Sequence, residues 1–214
     1  MRRKVNNLTA LAVLGVLASG TPMHPYQIAN VIRRTGKDRD MKIKWGSFYT
    51  VVDNLEKHGF IEATSTDRAG RRPERTVYAI TEAGRGELRE WLRELVAVPQ
   101  PEASRFEAAL SVAGVLHPDE VTELLGQRVA ALDAESERDR ALLAEASHVP
   151  RLFLIEAEYA LAMREAEAAW VRSLLKELAD GTLPGVAEWR EYHETGRPPA
   201  EWAQLIDEGG SPAD

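Results

Sequence analysis

The 214-residue chain contains no cysteine and no apolar run long enough to cross a bilayer. The lack of cysteine excludes disulfides, zinc sites built from thiolates and a cysteine nucleophile. It also suits a reducing compartment, although it does not fix one. We therefore expect a cytoplasmic protein that has no membrane partner.

Residues 1–20 imitate a secretory signal, because a basic start is followed by an apolar stretch and then by small residues. Two asparagines, Asn6 and Asn7, stand at the start of the supposed apolar core, however, and the residues after Gly20 look like the continuation of one small domain. We interpret Leu8–Ser19 as a buried first helix that ends at Gly20. Export is the alternative interpretation of this segment.

The chain also lacks the residue arrangements that are typical of enzymes. No glycine-rich phosphate loop follows a predicted strand, and no Gly-x-Ser-x-Gly sequence occurs. The chain has five histidines, and their spacing is not typical of a metal site; they are His24, His58, His117, His148 and His193. His24 and His117, which precede Pro25 and Pro118, are interpreted as helix caps or turns. Glutamates 156, 158, 165 and 167 are interpreted as a solvated helix face. We expect no catalysis, no metal and no cofactor.

Charge is distributed unevenly along the chain, whose net charge is −7. Residues 1–80 hold 14 Lys and Arg against 7 Asp and Glu, a net charge of +7, whereas residues 101–214 hold 10 against 23, a net charge of −13. A basic first part joined to an acidic remainder is what one anion-binding module would show. Chance fluctuation is the weaker explanation of so large a difference.

A short amphipathic helix beginning at Ser47 is the most informative stretch. Its apolar residues recur at three- and four-residue steps, at Phe48, Val51, Val52 and Leu55, which is one stripe of a helix. The other face carries short or hydrogen-bonding side chains, namely Ser47, Tyr49, Thr50, Asp53, Asn54 and Lys57. Such a helix can pack by one side and lie in a DNA major groove by the other. Most short amphipathic helices read no DNA, so the neighbouring segments must decide.

Those neighbours predict a winged helix-turn-helix. Pro25 opens a second helix, residues 35–40 form a polar loop, and the three helices together make a helix-turn-helix arrangement. Strands are predicted over residues 60–65 and 75–80, and the loop between them, residues 66–74, holds three arginines. A hairpin in this position is a wing whose arginines lie beside phosphates or in a minor groove. A solvated arginine-rich turn is the alternative.

The remaining segments are predicted to be helical. Thr81 caps a further helix, and residues 98–101 form a linker. Residues 103–115 form a helix, and two long helices follow, from Pro118 to about Ser147 and from Leu152 to Ala179. Their apolar stripes are wider than the hairpin of helices can cover, so we expect a homodimer, with packing on the chain's own first domain as the alternative.

We therefore predict a mainly α fold with a small β-hairpin wing. Its parts are a winged helix-turn-helix DNA-binding domain (residues 1–97), a dimerisation domain of antiparallel long helices (98–181) and an extension of short helices with a frayed end (182–214). In the extension, Trp189 and Trp202 are expected to dock on the long helices.

Four short segments resemble the PadR family of transcriptional regulators; they are Met23–Ile28, Gly46–Tyr49, Leu55–Ile61 and Val77–Arg85. The resemblance covers residues 8–95 by motif and extends to about residue 181 in architecture only. Pro25 stands where the family usually has Gly, which a helix start accepts. Trp45 stands where Pro or a small residue is usual; it either packs under the wing or stacks along the edge of the groove.

The resemblance implies a homodimeric repressor that binds a near-palindromic operator in double-stranded DNA. It also implies release by a small hydrophobic or phenolic effector bound at the domain or dimer interface. No residue of such a pocket carries over by motif. Five aromatic residues are candidates, although each fits a core position better: Trp91, Phe106, Phe153, Tyr159 and Trp170.

Roles can be predicted for individual residues of the DNA-binding surface. Ser47, Thr50 and Asn54 are expected to face base edges, where Asn54 can pair with adenine through two hydrogen bonds. Phosphate contacts are expected from Tyr26, Lys44, Tyr49 and Lys57. Arg71 and Arg72 serve the wing, and Arg2, Arg3 and Lys4 form either a loose arm or a disordered start. The alternative function is a winged-helix protein-interaction module without a ligand switch, in which the acidic part is the working surface.

Overall fold

A computed structural model describes residues 3–67, 75–100 and 104–197 of the chain. The chain divides into two units, Met1–Pro101 and Glu102–Asp214. The first unit contains α1 (Leu8–Leu17), α2 (Pro25–Arg34), α3 (Lys37–Asp40), α4 (Phe48–Lys57), β1 (Ile61–Asp67), β2 (Arg75–Ile80) and α5 (Glu82–Ala97). The second contains α6 (Arg105–Leu110), α7 (Pro118–Glu145), α8 (Ile155–Ala179) and α9 (Val186–Thr195). The mainly helical fold with one hairpin agrees with the prediction.

Helices α1, α2 and α5 of the first unit begin at residues whose side chains accept a backbone hydrogen bond. The Asn7 side chain caps α1 by accepting from the Thr9 N–H, and the Thr81 hydroxyl caps α5 by accepting from the Gly84 N–H. His24 caps α2 with its Nδ1, which accepts from the Tyr26 N–H at 3.1 Å. The cap interpretation of His24 is therefore confirmed, and the same geometry recurs where His117 begins α7.

The core of the first unit lies between α1 and the helices and strands around it. Helix α1 is buried on almost every side, which explains why its sequence resembles an apolar signal segment. The apolar stripes of α2 and α4 meet it, and Tyr78 of β2, Leu88 and Trp91 of α5 complete the cluster. The interpretation of this segment as a buried helix is confirmed, although it ends at Leu17 rather than Ser19.

One close approach in this core requires glycine. A Cβ built on Gly84, in the first turn of α5, would lie 2.0 Å from the carbonyl oxygen of Phe60. No side chain can occupy that space, so α5 reaches the start of the hairpin only because residue 84 has none.

The hairpin pairs Ile61 with Ile80 and continues antiparallel to the pair Asp67 and Arg75. A bulge interrupts the register between Ala63 and Ser65, which increases the local twist of the ribbon. The first strand begins one residue later than predicted and is longer. A short helix, α3, also replaces part of the polar loop predicted over residues 35–40.

The second unit is built around the antiparallel pair α7 and α8. Its small core contains Val121 and Leu125 of α7, Val171 and Leu178 of α8, and Val186 of α9. The helix predicted over residues 103–115 is interrupted: α6 ends at Leu110, and a 3-10 turn follows at Ala113–Val115.

Ion pairs join the polar halves of α7 and α8. Arg128 of α7 binds Glu167 of α8 at 2.5 Å, Arg140 binds Glu165 at 2.6 Å, and Arg164 binds Glu135 at 3.1 Å. Glu165 and Glu167, interpreted from the sequence as part of a solvated face, are partly exposed and form ion pairs between the helices. Isolated pairs of this kind contribute little each, so they set the register of the helices more than their stability.

Helix α9 packs on the other helices of the second unit through Trp189. The Trp189 indole N–H donates to the carbonyl oxygens of Gly114 and Leu116, at 3.2 Å and 3.0 Å. The prediction that Trp189 docks on this unit is confirmed, whereas Trp202 lies outside the described residues. Among the described helices, none combines the length and the apolar character needed to cross a membrane.

Candidate nucleic-acid interface

Helix α4 is the element around which the candidate interface is built. Its predicted apolar stripe is buried in the core, at Phe48, Val51, Val52 and Leu55. A 3-10 turn at Trp45–Ser47 leads into it, and its C-terminus is closed by His58, whose Nδ1 lies 2.7 Å from the Asn54 carbonyl oxygen. The helix is thus fixed by one side and at both ends, which leaves its other side free to face a ligand.

The residues predicted to face bases lie on that free side of α4. The side chains of Thr50 and Asn54 are exposed. Ser47 is half-buried, and its hydroxyl donates to the Lys44 carbonyl oxygen at 3.1 Å. A serine hydroxyl that donates to a carbonyl keeps its lone pairs, so Ser47 is available to bases as an acceptor.

The predicted phosphate-binding residues are exposed as well. Tyr26 in the first turn of α2 and Tyr49 in the first turn of α4 have 59% and 58% of their surfaces accessible, which is unusual for large aromatic side chains. Lys44 precedes the turn into α4, and Lys57 ends the helix; both are exposed. Hydroxyl and ammonium donors therefore flank the two ends of the free face.

The arginines predicted for the wing and for the N-terminal arm are described only in part. Arg71 and Arg72 lie outside the described residues, as does Arg2. Arg3 is no loose arm, because its guanidinium binds Glu87 at 2.5 Å and Glu94 at 2.7 Å on α5. Burial lowers the pKa of Arg3, but the hydrogen bonds that its guanidinium donates to these two carboxylates, together with their charges, outweigh it and raise the pKa overall. Arg3 therefore anchors the chain start to α5.

Trp45 lies at the junction of α2 and α4. The guanidinium of Arg33, in the last turn of α2, lies over the Trp45 ring at 3.9 Å from its centroid. The ring also contacts Phe48, at a centroid distance of 5.4 Å. Trp45 thus connects the end of α2 with the start of α4. Sequence reasoning missed Arg33, since it stands twelve positions before its aromatic partner.

Strand β2 supports α4 through a buried tyrosine. The Tyr78 hydroxyl donates to Oε2 of Glu56 at 3.2 Å, and the Tyr78 backbone exchanges two hydrogen bonds with Met23, before α2. Burial, followed by the charge of Glu56, raises the pKa of Tyr78 above its ordinary value. This residue connects the hairpin to both helices of the helix-turn-helix.

The aromatic candidates for an effector site divide between the two units. Trp91 is buried in the first core, as the core interpretation predicted. Phe153, Tyr159 and Trp170 of the second unit are more than half exposed within the single chain, so the core interpretation is wrong for them. Phe106 lies under the guanidinium of Arg128, which is 3.7 Å from its ring centroid. The described residues contain no cluster of three possible metal ligands.

Comparison with known proteins agrees with this geometry. Residues 13–90, which include α2, α4, the hairpin and part of α5, match the Transcriptional regulator PadR-like family. A probable transcriptional regulator of Mycobacterium tuberculosis, Rv1176c, is 28% identical over 113 residues. That match covers 45% of this chain and 59% of the relative, so it spans less than two thirds of the relative's length.

Among solved structures, Bacillus subtilis PadR has a similar fold. Its complex with operator DNA superposes with a TM-score of 0.65 at 19% identity and covers 80% of this chain and 99% of that protein. Its complex with p-coumaric acid gives the same TM-score at 18% identity, with the same coverage. At these identities the likeness shows the fold. Together with the family match over the helix-turn-helix and hairpin, this likeness supports a PadR-like transcriptional regulator, and members of that family are not enzymes.

Proposed function

We propose that this chain is a homodimeric repressor that binds a near-palindromic operator and is released by a small hydrophobic or phenolic effector. The observation that carries the proposal is the free side of α4, where exposed hydrogen-bonding side chains stand on a helix whose other side is buried. A helix of this kind fits the width of the major groove.

The roles of the residues follow from the chemistry of duplex DNA. Asn54 offers an acceptor and a donor on one amide, the pattern that pairs with the N6 and N7 edge of adenine. Thr50 and Ser47 can contact either type of base edge. The phosphate contacts come from Tyr26, Lys44, Tyr49 and Lys57, and the wing contributes Arg71 and Arg72; such contacts set the register of the protein on the duplex.

Electrostatics supports the same assignment. The net charge of residues 1–80 is +7, while the whole chain carries −7. A polyanion therefore attracts the winged unit and repels the acidic unit, so approach by the free side of α4 is favoured.

A dimer is supported by the outer side of α8. Four large apolar side chains, Ile155, Tyr159, Met163 and Trp170, recur on this side, and each is at least half exposed. We call these four residues the α8 stripe. A continuous apolar stripe on a long helix is covered most simply by the same stripe of a second copy. Two-fold symmetry of the protein in turn requires a near-palindromic operator.

The effector part of the proposal is supported by the fold and by exposed aromatic rings. The similar Bacillus subtilis protein is known in complex with p-coumaric acid. In the proposed dimer Tyr159 and Trp170 of the α8 stripe supply aromatic surface at the interface between the two copies, and planar phenolic compounds bind such surfaces by stacking and burial.

The first experiment is a mobility-shift titration of the duplex immediately upstream of the chain's own gene, with a random-sequence duplex of equal length beside it. We expect the unmodified chain to prefer the upstream duplex. Asn54→Ala should reduce that preference roughly tenfold to a hundredfold, since a bidentate base contact is worth about 1–3 kcal/mol, and leave binding to the random duplex unchanged. Arg138→Ala, which removes an exposed charge of the acidic unit, is the control and should bind normally.

Two outcomes would contradict the proposal. Equal affinity for both duplexes would remove sequence-specific recognition, and no binding to either would favour the protein-interaction module instead. The same titration repeated with p-coumaric acid, then with a larger apolar aromatic compound, tests the effector. Release of the upstream duplex by one of them is expected, and retention in the presence of both would contradict a phenolic or hydrophobic switch.

A further inference from the structure

We infer that Arg33 is a phosphate-binding residue of the DNA interface and that Trp45 is the platform that holds its guanidinium in position. The inference rests on the proposed function and adds to it a residue pair that the sequence did not single out. Its basis is the stacked geometry at the junction of α2 and α4.

The platform is itself firmly placed. The Trp45 ring is partly buried against the core of the first unit and contacts Phe48, which is fully enclosed. Its backbone begins the 3-10 turn that leads into α4. The guanidinium of Arg33 lies over this ring, 3.9 Å from its centroid.

Stacking leaves the binding edge of the guanidinium free. The five N–H donors of arginine lie in the plane of the group, so a ring that covers its face does not use them. Within the part of the chain that the structure describes, no carboxylate pairs with Arg33, in contrast to Arg3, Arg140 and Arg164. The side chain remains exposed. Arg33 thus presents an oriented fork of donors that none of the described carboxylates occupies.

The position of the fork indicates a phosphate as the acceptor. Trp45 follows Lys44 directly and precedes the first turn of α4. One edge of the base-reading face therefore combines three positive groups: the Lys44 ammonium, the Arg33 guanidinium and the positive end of the α4 dipole. A phosphate on the rim of the major groove meets such an edge, and a planar fork binds it through two parallel hydrogen bonds.

The stack also lowers the cost of binding. An unrestrained arginine loses much rotational freedom when it grips a phosphate, whereas one already held on a ring loses less.

The test compares the salt dependence of DNA binding for the unmodified chain and its variants, with both the upstream duplex and a random-sequence duplex as probes. Arg33→Ala should reduce the slope of log K against log salt by about 0.9 for each phosphate that the protein no longer neutralises, hence by nearly two units if both subunits of a dimer engage. Arg33→Lys should retain the slope but bind more weakly, because an ammonium group neither stacks in the same way nor forks. Trp45→Leu should likewise retain the slope and reduce the affinity.

Arg138→Ala removes the same charge from the second unit and should leave the slope unchanged. A purely structural role for the stack predicts a different result: Arg33→Ala would lower the Tm while its salt slope matched that of the unmodified chain, and this result would overturn the inference. If the unmodified chain binds neither duplex, the proposed function itself fails, and the two failures are thereby distinguished.

Discussion

At the scale of single residues, Tyr78 connects three elements of the first unit. Its hydroxyl donates to Glu56 on α4, and its backbone pairs with Met23 before α2. One side chain on the hairpin therefore holds the helix proposed to read DNA.

Tyr78 predicts a stability loss at alkaline pH. Burial and the charge of Glu56 raise its pKa in the folded state above the unfolded value of about 10. The neutral hydroxyl contributes its full stabilisation below that unfolded pKa, and the contribution is lost as the pH rises through the folded pKa. The measurement is the free energy of unfolding in urea between pH 9 and 11, an interval around the tyrosine pKa of about 10. As the pH rises, this free energy should fall more steeply for the unmodified chain than for Tyr78→Phe. Parallel curves would show that the hydroxyl does not titrate with folding.

Substitution of Ser136 in α7 is expected to increase the stability of the second unit. Its side chain is 2% exposed, and its hydroxyl has no hydrogen-bond partner among the described residues. Ala168 of α8 is a second small buried residue of this helix pair. Ser136→Ala should stabilise the second unit by roughly 1 kcal/mol, because it removes an unsatisfied polar group and improves helix propensity.

Thermal unfolding of the Ser136→Ala variant would show this gain. Ser136→Thr is the matched comparison, since it keeps the hydroxyl and adds a methyl group where the helices approach closely; it should lower the Tm. A decrease in both variants would mean that the serine hydroxyl has a partner in solution.

At the scale of elements, local sequence predicted those whose signals are local. Pro25 and His24 begin α2, Thr81 begins α5, and the stripe from Phe48 to Leu55 identifies α4. These features depend on residues within one or two helical turns of each other, which a sequence displays directly.

The elements that local sequence misjudged depend on distant partners. The helix predicted over residues 103–115 stops at Leu110, and beyond it the carbonyl oxygens of Gly114 and Leu116 accept hydrogen bonds from Trp189 and His193 of α9, which lie more than 70 residues further along the chain. The contact between Arg33 and Trp45 was missed for the same reason. Sequence periodicity carries no information about contacts across a loop. The free side of α4 could therefore be predicted, whereas the contact of Arg33 with Trp45 at its start could not.

Helix α9 yields a prediction of its own. Trp189→Ala removes two hydrogen bonds and a half-buried indole from the second unit, which should cost up to about 3 kcal/mol. Calorimetry should show the transition of the second unit moving to lower temperature. Glu188→Ala alters an exposed neighbour on the same helix and should not shift it. If the two variants unfold alike, α9 contributes nothing to the stability of this unit.

At the scale of the whole molecule, the α8 stripe determines the expected assembly. Tyr159 is 67% exposed and Trp170 51% exposed within one chain. Large apolar side chains in such a row favour association, because each pair of copies removes both stripes from water.

Breaking the stripe should therefore produce monomers. Light scattering coupled to size-exclusion chromatography should give a dimer for the unmodified chain and a monomer for the double variant Tyr159→Glu, Met163→Glu, because charge cannot be buried there unpaired. Ala160→Glu lies about 100° further round the same helix and should leave the dimer intact. A monomeric unmodified chain would contradict the assembly, and with it the symmetric operator.

The missing side chain of Gly84 has a mechanical consequence for the whole chain. Because the Phe60 carbonyl fills the space of a Cβ, adding a single methyl group there must tilt or shift α5 as a rigid rod. A rod of 16 residues is about 24 Å long, so a small change of angle at its first turn becomes a displacement of several ångströms at Ala97, from which the polypeptide continues into the second unit. Glycine at position 84 therefore fixes the direction of α5 within the first unit.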